Sequence, residues 1–445
     1  MVGKFYDGFT DRLSKYGLQV YYIVLVLAYF LIVWIPVHYD EWLLVWGFLL
    51  AFAPFVLPIF ALIIFRLLWL DYRRQQDYWS TEHTVLEIRL PEEITQNPFA
   101  AELFMRVLYQ TGEEDTIVHI YRGKTSPWFS LEIASTEGVV KFYVWTRKRY
   151  ADIVKSQMYA HYPTVQVAEV EDYTYNMPLN LDKMDLTGIS QGLQKPDPYP
   201  IMTYVDWGLD KPDIKEEFKV DPLNSLIEFM GSLGPGEHMW SQIILRGHTQ
   251  KYVHNLHKEL NITQWIQEEL KVQSKDYTDE GEKPNFQRLP EGTKEATKAM
   301  QRKEFKQMFD VGMRILYTAN KEDYKSRLAG MATAFRSFEH GSKGRGLNGF
   351  KPIFDIGPFN WPWEDFLGIR RRGLKRRFYQ GYVSRQYFYP PNAQEYIFLN
   401  TEELASIWHL PGKVAHTPTL IRMPSRRSEA PANLPVGEGP VNLPV

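Results

Sequence analysis

WFSLEIASTEGVVKFYVW, Trp128 to Trp145, reads as a β-hairpin and decides the fold of the region around it. Two strands rich in aromatic and branched residues, Trp128 to Ile133 and Val139 to Trp145, flank the turn-rich segment Ala134 to Gly138. Upstream, Thr84 to Leu90 alternates Val85, Glu87 and Arg89 against Leu86, Ile88 and Leu90, the period of a half-buried strand. A helix is expected over Asn97 to Tyr109, with Pro98 in its first turn and Ala101, Phe104, Met105 and Leu108 on one face. Downstream, a helix from Lys148 to His161 ends before Pro163, and a strand follows over Val165 to Val170. Strand, helix, strand, strand, helix, strand is the split βαβ order, which predicts a four-stranded antiparallel sheet over residues 84–171.

The pattern recurs further along. Residues 172–213 are rich in Pro, Asn, Asp and Gly and read as a linker with one strand, Ile201 to Trp207. A second split-βαβ domain is expected over 214–358. Asp221 and Pro222 start a helix with Leu223, Leu226, Ile227 and Met230 on its apolar face, and GSLGPG at Gly231 to Gly236 ends it. Strands Met239 to Leu245 and Asp310 to Ala319, a helix Lys321 to Phe338 and a strand Leu347 to Phe354 complete that unit. Residues 256–308, largely charged and helical around a loop at Asp276 to Leu289, look like an insertion.

Two hydrophobic runs precede both units. Leu18 to His38 holds no Asp, Glu, Lys or Arg over a length that, as a helix, covers the hydrocarbon core of a bilayer. Trp42 to Leu70 is longer and contains Pro54 and Pro58, so a tilted or kinked span is expected. Only Tyr39, Asp40 and Glu41 separate the two, which predicts a transmembrane hairpin over 18–70. Residues 1–17 form an amphipathic lead-in, and 71–83 a polar connector. Lys4, Arg12 and Lys15 before the hairpin, with Arg66, Arg73 and Arg74 at its end, put both termini and the soluble part on the cytoplasmic side of the inner membrane. The expected fold class is therefore an α+β membrane protein, a hairpin followed by two tandem ferredoxin-like domains.

Composition bounds the chemistry. The chain has no cysteine, which excludes disulfides, thiolate metal sites and cysteine nucleophiles. A formal net charge of -2 gives no global attraction to nucleic acid or anionic lipid, so any basic surface must be local. Gly123-Lys124-Thr125 falls short of a phosphate loop, because Val118 stands where a second glycine belongs. His254, His257 and Glu259 read as a solvated helical face rather than metal ligands, and no catalytic constellation, cofactor motif or nucleophile elbow stands out. The chain is not expected to be an enzyme.

Residues 359–424 differ again. FNWPWEDFLGIRRRGLKRR, Phe359 to Arg377, couples aromatics to the basic cluster Arg370, Arg371, Arg372, Lys375, Arg376 and Arg377. Two readings fit that cluster: contact with phosphates of nucleic acid or of the anionic leaflet, or a solvated face paired with acidic neighbours. Arg147, Lys148 and Arg149 form a smaller patch of the same kind. Phe398 to Trp408 gives a strand end and a helix capped by Asn400 or Thr401, and residues 425–445 have the composition of a linker.

DPLNSLIEFMGSLGPGEHMWSQIIL at Asp221 to Leu245 and FLNTEELASIWHL at Phe398 to Leu410, followed by TPTLIRMPSRRSEAPANLP, resemble the N-terminal, non-catalytic portion of membrane-anchored type IV secretion or conjugation ATPases and coupling proteins, in the version found in candidate-phylum bacteria. LEIRLPEE at Leu86 to Glu93 and WFSLEIAS at Trp128 to Ser135 extend the likeness. These are packing and turn residues. The resemblance implies a membrane-anchored scaffold or docking subunit in an oligomeric assembly, lacking its own ATPase motif, with the motor supplied by a separate subunit or by a longer natural protein. The alternative is a structural subunit of another membrane assembly.

Overall fold

The computed structural model describes residues 39–91, 96–111, 123–211, 220–249, 252–254, 258–260, 262–275, 291–339, 347–357, 359, 364–365, 368–412 and 422–423. The chain divides into two compact units, Met1–Tyr72 and Arg73–Val445.

In the first unit the described residues belong to helix α1 (Tyr39–Ser80), 42 residues long with Pro54 and Pro58 inside it. Its stretch from Phe52 is long and apolar enough to cross a membrane, with a mean hydropathy of 2.2. Large apolar side chains stand bare along it, Phe55 at 72% exposure and Leu62 at 69%, an arrangement that water disfavours and lipid does not. The expected first half of the hairpin, Leu18 to His38, and the lead-in at 1–17 lie outside the described residues. Tyr39, Asp40 and Glu41, expected as the hairpin loop, are in the helix. So is most of the expected polar connector, which stays helical through Ser80.

The second unit is organised around one sheet. Strands β1 (His83–Pro91), β2 (Phe129–Thr136), β3 (Val139–Arg147) and β4 (Gln166–Val170) pair antiparallel in the order β4-β1-β3-β2. The hairpin turn falls at Glu137 and Gly138, both with positive φ. Strands β5 (Met184–Leu193), β6 (Glu237–Gly247), β9 (Met308–Asn320) and β10 (Phe350–Ile353) pair antiparallel in the matching order β10-β5-β9-β6. The two sets meet where β2 pairs with β6, Phe129 opposite Leu245 and Thr136 opposite His238. The two sets of strands thus belong to a single sheet. Strand β11 (Ile397–Asn400) adds to β9, and β12 (Arg422–Met423) adds parallel to the end of β1, giving ten strands in all. A small hairpin, β7 (Tyr252–His254) with β8 (Lys258–Leu260), stands apart.

Strand β5 lies inside the stretch read as a linker. MDLTGISQGL carries two glycines and few branched residues, and its partner residues on β9 are more than a hundred positions away, so local sequence hides it. The expected strand Ile201 to Trp207 is instead turns with one bridge, Ile201 to Asn348.

Helices α2 (Pro98–Val107), α3 (Ala151–His161), α4 (Leu223–Gly231), α7 (Leu328–Thr333) and α9 (Thr401–Ile407) cover one face. The expected long helix at Lys321 to Phe338 is reduced to α7 and a short 3-10 turn, Arg336–Phe338. Buried apolar residues from every strand of both sets but β4, Leu86, Phe142, Ile243, Ile315 and Phe350 among them, form one continuous core there. Helix α9 packs on α2, with the Phe104 and Trp408 rings stacked at 6.2 Å. Asn400 caps α9 in a full capping box with Glu403. The insertion contributes α5 (Ile262–Lys275) and α6 (Glu291–Glu304); its expected loop lies outside the described residues. Lys306, just after α6, reaches Glu102 of α2 at 2.7 Å and Glu402 of α9 at 2.8 Å.

The opposite face is also covered, by α8 (Ile369–Val383), the 3-10 turn Tyr173–Asn176, the segment after α8 and the last turns of α1. That is why β1, expected to be half-buried, has Val85 and Glu87 buried along with Leu86 and Ile88.

Candidate functional site

Helix α8, IRRRGLKRRFYQGYV, turns a basic ridge outward and aromatics inward. Phe378, Tyr379 and Tyr382 are buried. The helix sits close to the sheet because residue 188 on β5 is glycine: a Cβ there would lie 2.2 Å from the Phe378 ring.

The predicted basic residues all lie on this one helix, but they are not equivalent. Arg372 is ion-paired with Asp182 and Lys375 with Asp185. Arg371 stands 3.8 Å from Asp365, whose Oδ1 also accepts the backbone N–H groups of Arg370 at 2.8 Å and Arg371 at 3.3 Å. That carboxylate offsets three arginines placed at a helix N-terminus, the end that disfavours cations. Among the described residues Arg370, Arg376 and Arg377 have no ion pair; Arg370 rests over the Phe359 ring at 5.4 Å, and Arg377 donates to the Pro391 carbonyl at 2.9 Å. The cluster is therefore half solvated face and half uncompensated charge.

The smaller patch resolves differently. Arg147 is buried, 5.2 Å from the Trp128 ring and bonded to Thr125, while Lys148 pairs with Glu82 at 3.0 Å. Thr125, from the stretch that resembled a phosphate loop, donates to Asp77 at 2.7 Å, so this loop ties down the end of α1. His254 and Glu259 lie on the β7–β8 hairpin rather than on a helix, and His257 lies outside the described residues. Among the described residues no group of three or more His, Asp or Glu side chains is placed to hold a metal ion.

Beneath α8 runs a polar row that sequence reading missed. Glu132, Gln242 and Arg314 stand directly opposite one another on β2, β6 and β9, all buried. Gln242 donates to Glu132 Oε1 at 2.7 Å and accepts from Arg314 Nε at 2.6 Å. Glu132 also accepts from Ser130 at 2.6 Å, Tyr173 at 2.9 Å and Arg385 at 3.0 and 3.1 Å. Both its oxygens are thus saturated with donors. Arg385 continues the chain to Asp172. Burial alone would lower the pKa of Arg385, but Glu132 and Asp172 raise it well above the usual value. Its backbone sits at φ 50°, a strained position for a non-glycine residue that these bonds hold in place. Tyr173 and Tyr382, whose hydroxyls are 3.0 Å apart, are pushed well up by burial and by Glu132.

Arg314 is the exception in the row. Burial pushes its pKa down to about 10, and among the described residues it has no ion pair. Each of these polar residues interrupts an apolar run, Glu132 in FSLEIAS, Gln242 in MWSQIIL and Arg314 in VGMRILY. That interruption is the signal from which the row was readable.

The chain belongs to the family described as a domain of unknown function, DUF8128, whose model matches residues 75–422. The match begins in the last turns of α1 and ends in β12, so it takes in both strand sets, the insertion and the basic helix. No curated protein matches the chain.

Proposed function

We propose that this family member is a membrane-anchored cytoplasmic scaffold, built of two ferredoxin-like halves joined edge to edge through β2 and β6. On this reading α1 inserts in the inner membrane, with Leu18 to His38 as the other arm of a hairpin. Both termini and the sheet lie on the cytoplasmic side. The scaffold docks a motor ATPase or coupling protein of a type IV secretion or conjugative DNA-transfer apparatus and works as part of an oligomer. The observation that carries the reading is the double character of α1. One uninterrupted helix holds a membrane-length apolar stretch and ends in a segment packed into the folded body. In that segment Tyr78 is buried and stacked on Trp128 at 5.8 Å, Gln386 donates to Gln75 at 3.1 Å, and Asp77 holds Thr125. The secretion context is supported by the sequence resemblance at Asp221 to Leu245 and Phe398 to Leu410.

The test has two arms. Native membranes washed with alkaline carbonate should retain the full chain; release into the supernatant refutes the anchor. Affinity purification of the full chain from detergent-solubilised native membranes should recover an ATPase or secretion component. Recovery of a stable membrane complex containing neither overturns the secretion role and favours a structural subunit of another assembly.

A further inference from the structure

Next to Arg314, between α8, β9 and the segment at 390–394, lies a cavity of about 130 Å³, several times what one water molecule needs. Its wall includes Arg314, Arg377, Asn392, Gln394, Asp355 and Gly381.

The donors around it are only partly used. Arg314 spends Nε on Gln242 and Nη2 on the Gly381 carbonyl, at 2.6 and 2.7 Å. Its Nη1 has no hydrogen-bond partner among the described residues and lies beside Gly381, where a Cβ would come within 3.2 Å of it. Arg377 uses one nitrogen, on Pro391. Asp355 is the acidic group on the wall; it accepts from Ser190 at 2.6 Å, forms no ion pair with Arg314, and burial raises its pKa toward the neutral form. A guanidinium on the wall of a half-open cavity with one nitrogen unused and no ion pair among the described residues is suited to a bound anion. Guanidinium forks match phosphate oxygens in a bidentate way, and Asn392 and Gln394 add neutral amide groups to the wall.

We propose that this cavity is a binding site for a single phosphate group, free or as a phosphomonoester headgroup, held between Arg314 and Arg377. The site is separate from the outer ridge: Arg370 and Arg376 do not line it. It also stands independently of the scaffold role.

The test uses the full chain in neutral detergent, titrated with inorganic phosphate and followed by calorimetry and by ³¹P line broadening. Saturable binding is expected. Arg377→Gln, at an exposed position that leaves the buried row intact, should weaken it about tenfold, the loss expected for one charge-assisted contact. Gly381→Ala should weaken it by crowding Nη1. Arg370→Gln and Arg376→Gln should leave it within twofold, and acetate should bind more weakly than phosphate. Vesicles containing phosphatidic acid identify the source: displacement of bound phosphate assigns a lipid headgroup, and its failure assigns free phosphate. The proposal is overturned by absence of saturable binding up to millimolar phosphate. It is equally overturned if Arg370→Gln weakens binding as much as Arg377→Gln, which would reduce the effect to general attraction by a basic helix.

Discussion

His409 and Asp221 are joined at 2.9 Å between Nε2 and Oδ2, linking the residue after Trp408 to a residue just before helix α4 whose Oδ1 accepts from the Leu223 N–H, nearly two hundred positions away. The other ring nitrogen lies 2.9 Å from the Ala405 carbonyl, so both nitrogens face acceptors, which favours the doubly protonated ring.

A pH dependence follows. Burial lowers the pKa of His409, but Asp221 and the backbone carbonyls more than offset it, and the net shift is upward; the Asp221 pKa is lowered. A raised histidine contributes stability that is complete below its unfolded pKa of about 6.5 and lost as pH rises through the folded value. Asp221 contributes stability present above its unfolded value and lost as pH falls through the folded one. The melting temperature should therefore decline as the pH rises above about 6.5 through the folded value of His409. His409→Gln should remove that alkaline decline while lowering the plateau. Thermal unfolding of both proteins from pH 5 to 9 is the measurement, and parallel profiles would contradict the assignment.

Arg385 is the second lever. Its guanidinium is the shared partner of Glu132 and Asp172; Arg385 and Glu132 are buried and Asp172 is half-buried. Arg385→Ala leaves two carboxylates without it in a low-dielectric layer, a change that costs about 3–5 kcal/mol in comparable pairs. Adding Glu132→Gln should recover part of that loss, because it removes one stranded charge. Chemical denaturation of the single and double variants reads the coupling directly. Additive losses for Arg385→Ala and Glu132→Gln would mean that the pair is not coupled.

Gly188 and Phe378 make a third case. A methyl group at 188 would penetrate the Phe378 ring, so Gly188→Ala should destabilise by about 1–3 kcal/mol through overpacking. Phe378→Leu makes room, and the double variant should be more stable than the sum of the two losses predicts. Additive losses would show that α8 does not rest on β5 at this point.

How far the sequence reveals this architecture depends on where the information sits. Trp128 to Trp145 is a local hairpin, and its two strands and turn are legible in eighteen consecutive residues. The strand, helix, strand, strand, helix, strand order around it is legible for the same reason. The junction of β2 with β6 is not. WFSLEIAS and HMWSQIIL each read as a strand, yet nothing in either specifies that Phe129 faces Leu245. Strand β5 was hidden because its pairing with β9 and its cover by Phe378 come from distant segments. The basic cluster was legible as charge. Which of its members are neutralised depends on Asp182 and Asp185, which the chain brings up from the stretch read as a linker.

That division sets the last prediction. If the ridge of α8 meets the phosphates of nucleic acid, the contacts belong to Arg370 and Arg376, which have no ion pair among the described residues, and not to Arg372 and Lys375, which already face carboxylates. Binding of duplex DNA to the full chain in neutral detergent should then weaken steeply with salt and show little sequence preference. Replacing Arg370 and Arg376 together by Ala should reduce the slope of log affinity against log salt by about two, roughly one for each phosphate that the helix no longer neutralises. Replacing Arg372 and Lys375 together should change the slope by less than half as much, since their charge is locally balanced. Neither pair should disturb folding by more than about 1 kcal/mol, because partly exposed ion pairs contribute little to stability. If both pairs lower the slope equally, the ridge acts through summed charge alone. If neither does, its partner is a protein surface and the phosphate reading of the ridge fails.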